Sequence, residues 1–184
     1  GETYRRTYDG AYEITKQPDE SVASLQTENI TSVIPLHAHV SNTASSLSSF
    51  SANADSNAWL MDAEFTFTAS GDYWQIKNAA KNLYLANDGA DTFFRSTPMD
   101  MKVTDVLGQG TFRICRSNGE RFVIFYPAEM DFNANTSYSS SSNFNYELTL
   151  LEKKASVSDS DILPGYQKAT SITSGKSYLI TALW

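Results

Sequence analysis

Apolar and polar residues alternate most clearly over residues 71–86, GDYWQIKNAAKNLYLA, and again over residues 110–125, GTFRICRSNGERFVIF. Each stretch runs aromatic-x-Ile, then a polar centre carrying Asn, then an apolar arm. Trp74 and Ile76 precede Leu83 and Leu85 in the first, and Phe112 and Ile114 precede Phe122 and Ile124 in the second. Side chains two apart share one face of a strand, and a polar centre between two such arms predicts a hairpin in each copy. Trp74 and Phe112 stand 38 positions apart; a similar step back reaches Leu36 in SVIPLHAHV, and one forward reaches Leu148 in YELTLL. A strand-centred repeat of that length predicts a closed all-β domain of pseudo-threefold hairpins, with Trp74, Ile76, Phe112 and Ile114 buried.

Shorter signals fill the rest of the chain. A candidate strand at 11–15 is followed by the turn Lys16-Gln17-Pro18-Asp19, with helix confined at most to 20–25. A first core strand is expected over 31–40. After it comes SNTASSLSSFSANADSN, whose dense serines predict loops around one weak strand near Leu47 and Phe50. Trp59, Met61, Phe65 and Phe67 alternate imperfectly toward the turn Ser70-Gly71-Asp72, and strands are further expected at 92–95, 101–106, 130–132 and 146–151, with Pro98 and Pro127 as breaks. Residues 138–145 read as a loop. Near the end, Ser171-Ile172-Thr173-Ser174 echoes Asn29-Ile30-Thr31-Ser32, and each leads into an apolar strand. A strand as apolar as SYLITALW is an aggregation hazard if left alone, so it is expected to dock.

Composition narrows the function. Charged residues are only 19% of the chain, so the surface must be largely Ser, Thr and Asn, which suits strands and loops better than exposed helices. A net charge of −7 opposes binding to a phosphate backbone, which needs a basic stripe, and docking on anionic lipid. No nucleic-acid partner is expected. No apolar run approaches the roughly 20 residues of a membrane-spanning helix, so no membrane insertion is expected. Cys115 is the single cysteine, read as a half-buried structural thiol; it rules out an intrachain disulfide and a cysteine zinc site.

At Trp74-Gln75-Ile76-Lys77-Asn78 with Lys81-Asn82-Leu83-Tyr84-Leu85, the sequence resembles a β-trefoil, broadly similar to ricin-type lectin and fascin-like modules. The second copy keeps Phe112-x-Ile114 and Phe122-Val123-Ile124 but has Ser117-Asn118-Gly119 at the turn. The lectin branch's Gln-x-Trp signature is absent, since Trp74 precedes Gln75. The terminal GKSYLI resembles the opening strand of modules strung along large secreted proteins of Gram-positive gut bacteria. The resemblance implies a β-trefoil-like module over residues 22–154, preceded by an N-terminal segment, 1–21. Residues 155–184 then form a linker with either a closing strand or the start of a following module. It implies an extracellular place, secreted or attached to a cell wall, and a monomeric module.

Candidate chemistry is sparse. His37 and His39 share one face of a strand, a geometry that could hold zinc or copper, but no third ligand lies nearby in sequence. They are read as ordinary strand histidines, with no metal and no cofactor. The acids Asp88, Asp91, Asp100, Asp105, Glu120, Glu129 and Asp131 scatter over loops with no pair that would split two pKa values, so no catalytic residues are assigned and no enzyme is expected. Aromatics beside amides and carboxylates are the better clue, because a sugar site stacks a ring and hydrogen-bonds hydroxyls with Asp and Asn. The run Tyr126, Asp131, Asn133, Asn135 and Tyr138 carries this combination in a stretch with little core-like pattern. The expectation is a non-catalytic module binding a glycan or host glycoprotein through these residues. The alternatives are an adhesion module that grips a host surface protein or immunoglobulin, and a structural spacer.

Overall fold

The computed structural model describes residues 2–6, 12–16, 32–36, 63–88, 93–106, 110–128, 131–140, 143–156, 158 and 165–183. Among them there are strands and no helix. In chain order these are β1 (Glu2–Arg6), β2 (Tyr12–Lys16), β3 (Ser32–Pro35), β4 (Glu64–Ser70), β5 (Tyr73–Asn78), β6 (Leu83–Leu85) and β7 (Phe94–Arg95). They continue with β8 (Asp100–Val106), β9 (Thr111–Arg116), β10 (Phe122–Tyr126), β11 (Asp131–Asn135), β12 (Leu148–Lys153), β13 (Tyr166–Lys168) and β14 (Lys176–Leu183). The protein is all-β.

Pairing returns on itself. β4 pairs β5, β5 pairs β8, β8 pairs β9, β9 pairs β12, β12 pairs β14, and β14 pairs β4, all antiparallel. A ring has no free edge within itself, which removes the exposed ladder that makes open sheets sticky. Its inside is apolar because alternate residues point inward: Phe65 and Phe67, Ile76, Met101, Phe112 and Ile114, Leu148 and Leu150, Tyr178 and Ile180 belong to one buried cluster.

The aromatic-x-Ile pattern has a third member, in β14. Trp74 faces Met101, Phe112 faces Leu148, and Tyr178 faces Phe65, each across to a following or closing strand. On the other edge Ile76 faces Phe67, Ile114 faces Val103, and Ile180 faces Leu150. A left-handed glycine stands just before each: Gly71, Gly110 and Gly175, with φ of 60°, 76° and 88°. At these turns an L side chain would press its Cβ on the backbone, which explains the residue type. The same placement thus recurs in β14 at Tyr178 and Ile180. Leu148 is the ladder partner of Phe112, and Leu36 follows β3, donating its N–H to Ile180 O at 2.8 Å.

Other expectations change in detail. Residues 71–86 do form a hairpin, through Lys77 opposite Tyr84 and Asn78 opposite Leu83. Residues 110–125 do not: β9 pairs with β8 and β12, so β10 departs and pairs with β11 as a separate two-stranded sheet. Ile76, Phe112 and Ile114 are buried, but Trp74, close to the exposed Gly71-Asp72 turn, is only partly so and packs edge-on against Phe67. Cys115 is more deeply buried than expected, at 3% exposure. β1 and β13 have no counterpart in the sequence expectations, β2 and β3 fall within one residue of theirs or inside them, and β11 is longer than the edge strand expected there. The weak strand near Leu47 and Phe50, the helix at 20–25 and most of the linker lie outside the described residues.

Candidate functional site

β10 and β11 pair in full register, Phe122 opposite Asn135 and Tyr126 opposite Asp131. Period-2 geometry gives this hairpin two unlike faces. Val123, Phe125, Phe132 and Ala134 join the core. Phe122, Ile124 and Tyr126 share the other face with residues 131, 133 and 135, and the described residues 143–147 lie back along the hairpin. Phe125 and Asn145 exchange both backbone hydrogen bonds, at 2.9 and 2.8 Å. The returning chain thereby brings Phe144, Tyr146 and Tyr138 onto the hairpin's aromatics.

This arrangement divides the five residues singled out in the sequence. Tyr126 packs edge-to-face on Phe144, with ring centres 5.0 Å apart. Asp131 is placed by its backbone opposite Tyr126, and its side chain lies outside the described set. Asn133 accepts a hydrogen bond from the Ala134 N–H at 2.8 Å, a local turn-like bond. Asn135 donates to Ser137 O at 3.0 Å and to the Tyr146 hydroxyl, so its amide ties the returning segment down. Tyr138 sits across the Tyr146 ring, with centres 4.9 Å apart at 71°, and is 39% exposed.

Around Tyr138 stand two residues that sequence reading did not single out. The Arg113 guanidinium lies 4.0 Å from the Tyr138 ring centre and donates to its hydroxyl at 3.0 Å. Arg113 also forks onto one oxygen of Glu147, through Nε at 2.9 Å and Nη2 at 2.6 Å. Arg113 belongs to β9 and Glu147 to the segment before β12, and the backbone opposition of Phe112 and Leu148 brings them together. That pairing crosses a long stretch of chain, so neither residue carries a local signal. The result is an exposed phenol edged by a fixed cation and a carboxylate. It offers donors, acceptors and a ring to a neutral polar ligand.

A second feature is an open pocket of about 310 Å³ lined by Glu64, Thr66, Ala79, Ala80 and Ser177. Thr66 and Ser177 hydroxyls lie 2.8 Å apart across β4 and β14, and the buried Tyr166 hydroxyl donates to Glu64 at 3.1 Å.

Among the described residues no group of three His, Cys, Asp or Glu could hold a metal, and His37 and His39 lie outside them. Nor is any described helix long and apolar enough to cross a membrane. Comparison of the chain with protein-family models, with curated proteins and with solved structures finds no match.

Proposed function

We propose that this chain is a non-catalytic, trefoil-like module that binds a neutral glycan weakly, within a larger secreted or surface-attached bacterial protein. The ring of six strands and the three glycine-led aromatic-x-Ile strands support the trefoil part of this reading. The observation that carries the binding part is Tyr138, the large apolar side chain left exposed among the described residues, held beside the Arg113–Glu147 pair. A ring presented with fixed polar groups matches what a sugar face with its hydroxyls requires. The chain's net charge of −7 favours a neutral ligand at this site, where Glu147 would repel an anion.

A shallow site of this kind should bind in the millimolar to micromolar range, about −4 to −8 kcal/mol. Titration calorimetry against mucin-type, blood-group and plant glycans tests it, with Tyr138→Ala as the variant. We expect Tyr138→Ala to weaken binding about tenfold or more, since lost ring contact is worth about 0.5–1.5 kcal/mol beyond its area. Equal binding by the variant misplaces the site. If no glycan binds at millimolar concentration while a protein from serum or mucosal secretions does, the adhesion reading takes its place.

A further inference from the structure

Away from Tyr138, four polar residues converge where the loop after β6 meets the turn between β9 and β10. Asn87 is fully buried, and its Nδ2 donates to Arg121 O. Asp88 is nearly buried and accepts Arg95 Nη2 on one oxygen and Arg116 Nη1, at 3.1 Å, on the other. The Arg95 and Arg116 side chains, taken whole, remain about one-third exposed, at 34% and 33%. One carboxylate thus holds two cations, leaving a local surplus of one positive charge in a chain that is acidic overall.

Two further facts set this cluster apart from an ordinary ion pair. Asn87 Oδ1, an acceptor, and Arg116 Nε, a donor, are buried with no hydrogen-bond partner among the described residues. Buried polar atoms are paired as a rule, and an unpaired one is costly enough to call for a reason. The backbone is also held in the left-handed region at Asn87 and at Arg121, with φ of 50° and 58°. Arginine has no special tolerance for that region, and such strain gathers where a structure presents groups to a ligand.

We propose that Asn87, Asp88, Arg95 and Arg116 form a second site, for a sugar acid: a carboxylate with a hydroxyl beside it. Asp88 fixes the two guanidiniums, whose remaining planar N–H groups match the two oxygens of a carboxylate. Arg116 Nε is one such donor. Asn87 Oδ1 is free to accept from a hydroxyl beside that carboxylate, a donor that a bare oxyanion such as sulfate lacks. The site shares no residue with the Tyr138 cluster and stands whether or not a neutral glycan binds there.

The test is NMR titration of the whole chain with glucuronate, glucuronate methyl ester and sulfate, following the Arg116 Nε–H and Asn87 Nδ2–H resonances. We expect saturable shifts of both with glucuronate, and about tenfold weaker binding or more for the ester, because a charged hydrogen-bonded contact is lost. Arg95→Gln should weaken glucuronate binding to a similar extent, and Arg95→Lys should restore only part of it, keeping the charge without the fork. Tyr138→Ala should leave these shifts unchanged. If Arg95→Gln does not fold, the acid-to-ester comparison on the unaltered chain decides alone. Absence of saturable shifts, an equal response to the ester, or sulfate binding as tightly as glucuronate overturns the proposal.

Discussion

Phe112 meets two strands at once: it faces Asp105 on β8 and Leu148 on β12, and only 2% of it reaches solvent. Truncation to Ala in such a place leaves a cavity that the ring of strands cannot close, so Phe112→Ala should lose about 3–5 kcal/mol in denaturant melts. A loss under about 1 kcal/mol would contradict its place in the core. Tyr166 gives a different handle. Burial first, then the charge and hydrogen bond of Glu64, push its phenol well above the ordinary value. An unfolded tyrosine ionises near pH 10, so above that pH the unfolded chain sheds a proton that the folded chain keeps. Stability from this group is therefore whole below about pH 10 and declines as pH climbs toward the higher native value. Tyr166→Phe should flatten the fall in unfolding free energy between about pH 9 and 11, and an unaltered slope would disprove the linkage. Cys115, raised by burial with Lys102 only partly opposing, should react with an aromatic disulfide reagent at the unfolded rate only after denaturant is added.

The glycines before β5, β9 and β14 share a backbone angle but not a neighbourhood. At Gly175 nothing would meet an added Cβ, whereas at Gly110 it would stand 3.0 Å from Ala169 O and Lys168 Cε. Both alanine variants carry the left-handed penalty of about 1–2 kcal/mol, and Gly110→Ala adds a clash with backbone, so it should melt lower than Gly175→Ala. Equal melting points would mean that β13 yields freely. These turns also mark how far the sequence can be read. The alternation in 71–86 and 110–125 predicts strands correctly, because period 2 is a local property. The partner of each strand is not local, and the same pattern that gives β5 a hairpin mate sends β10 to β11. Tyr178-Leu179-Ile180 carries the same aromatic-x-Ile pattern, but Thr181-Ala182-Leu183-Trp184 follows it in place of the polar centre and second arm that mark the other two. Tyr138 was legible as an aromatic among polar residues. Arg113 and Glu147 were not, since only the β9·β12 pairing joins them.

At the scale of the whole molecule, β14 is the strand that closes the ring, pairing with β12 on one side and with β4 and β3 on the other. It brings Tyr178, Ile180 and Ala182 into the core, and burying large apolar side chains is worth about 1.5–3 kcal/mol each. A chain ending at residue 164 should therefore lose cooperative unfolding or aggregate, as size-exclusion chromatography and thermal melts would reveal; an equally stable monomer would show that the ring does without it. The same strand also decides how the protein answers to tension. Val33 faces Leu183, Ile34 faces Ala182 and Pro35 faces Thr181, so a pull on the chain before β3 and after β14 loads the same end of that ladder. Antiparallel hydrogen bonds loaded this way open one after another, as a zipper does, whereas handles at Asp72 and Leu183 would load the β4·β14 ladder in shear. Gripped at those two points beside β3 and β14, the molecule would yield early and lengthen, whereas the sheared ladder would hold as one block.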